Sequence, residues 1–137
     1  MAKPVFIDAN IPMVAAGNPH SSKDPSLALL ERIAAGRLRA VTDTEVLQEI
    51  LYRFWALKLL AKGLDLLDHF VLAVPVVLPV TKRDMVRAKA LLVEESGLFP
   101  RDAVHAAVLL NNGLKTIYSY DRHFDRIPEI HRIEPEL

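Results

Sequence analysis

Short apolar runs alternate with longer amphipathic segments along the whole of this 137-residue chain. The short runs have the length and β-branched content of buried strands, whereas the longer segments repeat apolar residues at the spacing of a helix. Where strands and helices alternate, consecutive strands are joined through a helix, and such crossovers place neighbouring strands parallel. The pattern therefore predicts an α/β fold with a central, mainly parallel sheet flanked by helices.

The same periodicities give approximate bounds for each element. The predicted strands are Pro4–Ile7, Leu38–Val41, Val76–Leu78, Thr116–Tyr120 and Ile130–Ile133. The predicted helical segments are Ile11–Ala16, a helix capped by Asp24 with Pro25 first and ended by Gly36, a long helix from caps at Thr42–Glu45 to Lys62, Leu64–Leu72, Thr81–Glu95, Pro100–Asn112 and one turn at Asp121–Phe124. Gly63 is expected to break the long helix, and Thr81 with Asp84 predicts a capping box.

Composition limits the class of protein. Residues 1–137 are 51% hydrophobic, which is enough for the core of one domain. The longest apolar run, Phe70–Val80, is shorter than the roughly 20 residues that span a bilayer and contains two prolines. The N-terminus has no signal-peptide pattern. We therefore expect a single soluble, cytoplasmic domain without a membrane partner.

Cysteine content and charge narrow the chemistry further. The absence of cysteine excludes disulfides, thiolate metal sites and a cysteine nucleophile. The five histidines are scattered without zinc-ligand spacing, which argues against a zinc site. A formal net charge of zero provides no overall basic field for nucleic acid. Any contact with nucleic acid would therefore use a local patch.

Four carboxylates lie at the ends of predicted strands, at the start of a predicted helix or beside the apolar face of one. Asp8 and Asp121 follow strands, Asp102 lies in the first turn of a helix, and Glu49 adjoins the apolar face of the long helix. Ligands of open parallel sheets bind beyond the carboxyl ends of the strands, so these acids can converge at one edge. A carboxylate cluster with little basic compensation is typical of a site for hard divalent cations such as Mg²⁺. Such an ion can activate water for phosphodiester hydrolysis.

Each acid also has an ordinary alternative. Asp8 and Asp121 can cap the turns that follow them, and Asp102 is favoured by the helix dipole. Glu49 can pair with Arg53 one turn later, and Glu45 competes with it as the site residue. Only the joint pattern favours a common site over four separate local roles.

Four segments that carry these acids resemble the PIN-domain ribonucleases, especially VapC-type toxins of toxin–antitoxin pairs. The segments are Phe6–Asn10, Val46–Leu51, Pro100–Ala107 and Ser119–Asp125, and they follow one another in the order and at the spacing usual for that family. The resemblance implies one PIN-like domain over residues 1–137, with a five-stranded sheet in the order 3-2-1-4-5. It also implies metal-dependent endoribonuclease activity, a homodimer and an antitoxin partner.

The resemblance assigns roles to individual residues. It implies that Asp8, Glu49, Asp102 and Asp121 are catalytic and bind Mg²⁺ or Mn²⁺, with Glu49 acting directly or through water. Asp125 is a possible fifth ligand, or a surface charge that pairs with Arg122 or Arg126. Small polar companions that hydrogen-bond the acids or a bound water are implied at two positions, Asn10 and Ser119.

Basic residues near the acids are candidates for the substrate side of the site. Arg101 and Arg122 are expected to contact RNA phosphates, and Arg53, His105 and His123 are further candidates. Solvated or ion-paired roles are the commoner use of such residues. His105 follows Asp102 by three positions and can hydrogen-bond an acid. Two other functions stay open, a non-catalytic PIN-like binding module and a phosphohydrolase with Asp8 as nucleophile. The second is disfavoured because Asn10 stands where a dehalogenase-type phosphatase has its second aspartate.

Overall fold

The computed structural model describes residues 2–137, and within them five short strands form one sheet. The strands are β1 (Val5–Ile7), β2 (Ala40–Asp43), β3 (Val77–Leu78), β4 (Thr116–Tyr118) and β5 (His131–Ile133). They lie in the order β3-β2-β1-β4-β5, and every neighbouring pair is parallel. The predicted fold class and strand order are therefore confirmed.

β1 is the central strand of the sheet, and side chains on both of its faces are buried. Phe6 and Ile7 are fully buried, as expected of a parallel strand that is covered on both faces. Phe6 pairs with Val41 on one side and with Ile117 on the other. Strand order therefore reverses at β1, with β2 and β4 on opposite sides of it.

Six α helices and one 3₁₀ helix surround the sheet in the described residues. They are α1 (Asn10–Ala15), α2 (Lys23–Ala34), α3 (Thr44–Ala56), α4 (Leu60–Ala73), α5 (Lys82–Glu94), α6 (Pro100–Asn111) and the 3₁₀ helix Arg122–Arg126. α5 packs on α6, α1 packs on α2, and α3 contacts both α4 and α6. Across residues 2–137, none of the helices combines the length and the apolar character needed to cross a bilayer.

The prediction of one long helix to Lys62 is wrong, because α3 ends at Ala56 and α4 begins at Leu60. The turn between them is a Schellman motif in which Leu59 N–H donates to the Phe54 carbonyl at 2.8 Å. Lys58 occupies the left-handed position of this motif, with φ of 60°. A glycine usually marks that position, so the sequence gives no stop signal there.

Gly63 does not break a helix but lies inside α4, against Phe54 of α3. The expected cap at Asp24 is also wrong, because α2 already begins at Lys23 and has Ser22 as its N-cap. The cause is that Ser22 takes helical backbone angles and its carbonyl accepts the Ser26 N–H at 3.1 Å. Other helix starts follow their local signals: Thr81 forms the capping box, and α6 starts at a proline.

Candidate active site

Asp8 lies directly after β1, at the point where strand order reverses. Its backbone N–H donates to the Tyr118 carbonyl at 3.1 Å, which extends the β1–β4 pairing up to the site. Its Oδ1 accepts the Ala9 N–H at 2.8 Å, and its Oδ2 accepts the Ser119 hydroxyl at 2.6 Å and the Asn10 amide at 3.3 Å. Asp8 is therefore buried and held in one orientation by its sequence-predicted companions.

Asp102 and Asp121 meet beside Asp8. Asp102 comes from the first turn of α6 and is buried, whereas Asp121 follows β4 and caps the 3₁₀ helix by accepting the His123 N–H at 2.9 Å. The Asp121 N–H donates to the Ser119 hydroxyl oxygen at 3.0 Å, which ties this acid to the group that holds Asp8. The local capping role of Asp121 and its position in the cluster are thus compatible.

The electrostatics of Asp102 are unfavourable for a bare carboxylate. Burial, followed by the nearby charge of Asp121 and then of Asp8, raises the pKa of Asp102 to about 8. Its Oδ2 is buried and has no hydrogen-bond partner. A buried polar atom without a partner costs free energy, and a cation beside it would remove that cost.

Glu49 reaches the same region through a buried histidine. His105 Nε2 lies 2.6 Å from Glu49 Oε1, and His105 Nδ1 lies 2.8 Å from Asp43 Oδ2. Asp43 is the N-cap of α3 and accepts the Val46 N–H at 2.9 Å through its other oxygen. Arg101 Nε lies 3.4 Å from the same Glu49 oxygen, so the ion-pair partner of Glu49 is Arg101 and not the Arg53 that helical spacing suggested.

The hydrogen bonds around His105 change its titration. Burial of the ring opposes protonation, but the bonds to Asp43 and Glu49 outweigh burial and raise the pKa of His105 well above its usual range. Burial also raises the pKa of Glu49, against the opposing effect of His105. The raised pKa of His105 and the raised pKa of Glu49 both favour a proton in the 2.6 Å hydrogen bond between these residues.

The four acids border one open cavity of about 380 Å³. Glu45, the competing candidate on α3, is not among the residues that line it. The lining side chains are Asp8, Asn10, Met13, Glu49, Tyr52, Arg53, Arg101, Asp102 and Asp121. The structure therefore brings together the four acids that the sequence singled out, with Arg53 and Arg101 beside them.

Asp125 and Arg122 lie outside this cavity. Asp125 pairs with Arg132 of β5, with Arg132 Nε 3.0 Å from Asp125 Oδ1, so the expected pairing with Arg122 or Arg126 is wrong. Arg126 instead donates to the Ser96 carbonyl at 2.9 Å. Arg122 is exposed at the start of the 3₁₀ helix.

Asp43 was not predicted from the sequence as a site residue, and His123 was expected only as a candidate for contacting RNA phosphates. Asp43 ends β2 and is fully buried. The logic that selected Asp8 and Asp121 would have found it if the strand had not been ended too early, at Val41. His123 Nδ1 lies 2.8 Å from Asp121 Oδ1 and 3.5 Å from Asp102 Oδ2, so this histidine contacts the acids themselves.

The donor set suits a divalent cation. Within residues 2–137, two groups have ligand atoms that lie within 4.8 Å of one another, Asp8 with Glu49 and His105, and Asp102 with Asp121 and His123. Both nitrogens of His105 are already bonded to carboxylates, which leaves mainly carboxylate oxygens for an ion. Hard cations such as Mg²⁺ and Mn²⁺ prefer such ligands, and the unpartnered Oδ2 of Asp102 fits one.

The chain is similar to a known protein family and to ribonucleases within it. Residues 5–130 match the PIN domain family. Over 129 residues the chain is 37% identical to Ribonuclease VapC13 of Mycobacterium tuberculosis, and the match covers 94% of this chain and 98% of the relative.

Solved structures with the same fold include VapBC2 from Rickettsia felis bound to a promoter DNA fragment. Its TM-score is 0.76 at 19% identity, and the match covers 98% of this chain and 100% of that chain. VapC20 of Mycobacterium tuberculosis, described as a sarcin–ricin loop cleaving toxin, has a TM-score of 0.71 at 18% identity and matches 88% of this chain and 92% of that chain. At these identities the likeness concerns the fold alone. The family match and the sequence relatives show that the chain belongs to the PIN-domain family and groups with its VapC members.

Proposed function

We propose that this chain is a metal-dependent endoribonuclease that hydrolyses RNA phosphodiester bonds and acts as the toxin of a toxin–antitoxin pair. The observation that carries the proposal is the convergence of four acids on one cavity whose Asp102 Oδ2 lacks a partner. The ribonuclease relative, which matches nearly end to end, supports the same activity.

Asp8, Asp102 and Asp121 would hold one or two Mg²⁺ or Mn²⁺ ions, with Glu49 as a ligand directly or through water. A bound ion supplies a nucleophilic water at neutral pH and stabilises negative charge on the leaving oxygen. Ser119 and Asn10 keep the Asp8 carboxylate in place through the hydrogen bonds described above.

Arginines at the cavity would bind the RNA backbone. Arg101 and Arg53 line the cavity, and a guanidinium matches the geometry of a phosphate. Arg122 is a further candidate because it follows Asp121 and is exposed. Because the chain has no net charge, this local patch would carry most of the attraction for RNA.

The assignment is tested by RNA cleavage with Mg²⁺ or Mn²⁺. Asp8→Asn and Asp102→Asn are each expected to lower cleavage by more than about 100-fold, beyond the loss typical of residues that only orient ligands. Asp68→Asn, an exposed acid of α4, is the matched control and should cut like wild type. If both site variants also cut like wild type, the catalytic assignment is wrong. Wild-type protein that binds RNA without cutting it would favour the non-catalytic alternative.

An antitoxin would bind at a second surface. An apolar groove of about 450 Å³ lies between α1, α2 and α4, where Leu27, Leu30, Leu66 and Ala73 are among its lining residues. Exposed apolar grooves of this kind accept the apolar face of an amphipathic helix. The Rickettsia felis relative is itself a VapBC complex, which supports a cognate antitoxin for this chain.

We also propose a homodimer. Large apolar side chains are exposed around the α3–α4 turn, at Trp55, Leu57, Leu59, Leu60 and Leu64. A second copy of the chain would cover this patch through a symmetric contact.

A further inference from the structure

His105 is the middle member of a buried chain, Asp43–His105–Glu49, that the proposed reaction does not itself explain. The three residues come from the end of β2, the second turn of α6 and the middle of α3. The His105 side chain has no exposed surface, yet its two nitrogens lie 2.8 Å and 2.6 Å from carboxylate oxygens. A histidine that only filled the core would not need an acid on each side.

The ring is fixed from the Asp43 side. Asp43 Oδ1 caps α3 through the Val46 N–H, which leaves Oδ2 for His105 Nδ1. The ring also packs against Phe6 of β1, with 5.6 Å between ring centroids. Rotation of the imidazole would break both hydrogen bonds inside the core, where broken bonds are costly.

The Glu49 side of the chain faces the cavity. Glu49 has several rotatable bonds, so the conformational freedom of its side chain opposes a fixed position even though only 13% of it is exposed. His105 Nε2 holds its Oε1 at 2.6 Å and also lies 3.8 Å from Asp8 Oδ1. The nitrogen that holds Glu49 therefore lies beside Asp8, which its own hydrogen bonds fix, and the Glu49 carboxylate is kept near that acid.

We propose that His105 is a positioning residue that fixes the Glu49 carboxylate at the metal-binding cavity, with Asp43 as its anchor. The proposal rests on the proposed metal-dependent function. His105 acts through Glu49 and contacts neither substrate nor ion.

Two substitutions separate positioning from simple core filling. His105→Gln can place its amide N–H₂ near the position of Nε2 and keep a donor for Glu49. His105→Asn can place it near Nδ1 and keep a donor for Asp43 alone. Both replace the ring by a smaller amide, and Asn is shorter than Gln by one methylene. A purely structural role therefore predicts a somewhat larger loss of stability for Asn but equal Mn²⁺ affinity for the two variants while both are folded.

The measurements are Mn²⁺ affinity by calorimetry and thermal stability of the same samples. We expect both variants to melt at lower temperatures than wild type, His105→Asn at the lower of the two, so affinities are compared well below both melting temperatures. His105→Asn should bind Mn²⁺ about 10- to 100-fold more weakly than His105→Gln, in the range found for residues that orient metal ligands. Equal Mn²⁺ affinity of the two variants would overturn the positioning role.

Control measurements separate this inference from the proposed function. If wild-type protein binds no Mn²⁺, the metal-dependent function and the positioning role fail together. If wild type binds Mn²⁺, Asp102→Asn does not and the two His105 variants bind alike, only the positioning role fails.

A spectroscopic test needs no substitution. In ¹⁵N-labelled wild type, Mg²⁺ should shift the ¹⁵N resonance of His105 Nε2 more than that of Nδ1, because only Nε2 bonds to Glu49. Resonances that do not move at saturating Mg²⁺ would contradict the inference.

Discussion

At the scale of single residues, Asp102 concentrates the electrostatic cost of the site. Its carboxylate is buried beside Asp121 and Asp8, and its pKa is raised to about 8 from an ordinary value of 3.8. The N-terminus of α6 favours negative charge at this position, but that effect is smaller than the burial and repulsion that oppose it. Without a cation, Asp102 therefore keeps a proton at neutral pH.

This proton links stability to pH. The unfolded chain loses it near pH 3.8, whereas the folded chain keeps it up to about pH 8. Between these values the folded state binds more protons, so its stabilising contribution is present at low pH and is lost as pH rises towards 8. A cation binds the deprotonated carboxylate of Asp102. With the ion bound, the folded state should therefore no longer favour the protonated form.

We expect metal-free protein to lose stability between about pH 5 and about pH 8, and saturating Mn²⁺ to abolish that loss. The free energy of unfolding from urea titrations at several pH values measures both effects. Asp102→Asn has no carboxyl group at this position and is the control. An equal pH slope in wild type and Asp102→Asn would contradict the assignment.

At the scale of elements, three helices end in the same way. α2 and α6 place Gly36 and Gly113 at the left-handed position of a Schellman motif, with φ of 76° and 73°. α3 uses Lys58 there, at a conformational cost of about 1 kcal/mol. Tight docking of α4 on α3 favours this turn, because Gly63 lets the α4 backbone approach Phe54 closely.

Gly63→Ala tests that close approach. Helix propensity alone would stabilise the variant by about 1 kcal/mol. A Cβ at this position, however, would lie 2.5 Å from Phe54 Cβ and 2.9 Å from its Cγ. We therefore expect a net destabilisation of about 1–3 kcal/mol, measured by chemical denaturation.

Lys62→Ala, at an exposed position of the same helix, is the control and should stay within about 0.5 kcal/mol of wild type. A stabilised Gly63→Ala protein would show that α4 does not depend on close contact with α3.

Local signals account for what could be predicted about these elements. The alternation of short apolar runs with helix-like segments predicted the sheet, its parallel sense and each strand to within about two residues. Local residue signals marked helix ends at Thr81, Pro100, Gly36 and Gly113. The α3–α4 break was not predictable, because a lysine in the left-handed conformation depends on tertiary packing. Asp8 and Asp121 could be found from local sequence as well, because each directly follows a predicted strand.

The rest of the site depends on contacts between distant segments. Nothing near His105 in the sequence shows that it lies between Asp43 and Glu49, which are 62 and 56 positions away. The pairing of Asp125 with Arg132 likewise depends on β5 lying beside the 3₁₀ helix. Such pairings follow from the assembled sheet and not from local spacing.

At the scale of the whole molecule, α1 separates two surfaces with different chemistry. Asn10 and Met13 line the acidic cavity, whereas Pro12 and Ala15 line the apolar groove. A partner in the groove would therefore contact the same short helix that borders the cavity. The two surfaces can nevertheless be altered separately, since they share no lining residue.

Leu27→Glu tests the groove. Leu27 is 37% exposed on α2, so a charge there should be tolerated by the fold but not by an apolar partner. We expect at least about 10-fold weaker binding of the cognate antitoxin, sought as the product of the neighbouring reading frame, with RNA cleavage unchanged. Val86→Glu, on the exposed side of α5, is the control. Antitoxin affinity equal to wild type in Leu27→Glu would place the partner elsewhere.

The dimer is tested by light scattering after gel filtration. Wild type is expected at twice the chain mass of 15.3 kDa. Trp55→Glu combined with Leu60→Glu should give the mass of one chain, because two charges would be buried in the contact. A wild-type monomer, or a dimer that survives both changes, would reject the proposed interface.

The strand order described above also governs when the acids can meet during synthesis. β1 is made first but stands in the middle of the sheet, and its neighbour β4 is made more than a hundred residues later. A ribosome-bound chain that ends before Ser119 lacks both Asp121 of the cluster and the Ser119 hydroxyl that holds Asp8. Translation itself thus delays the assembly of the site until nearly all of these residues have emerged.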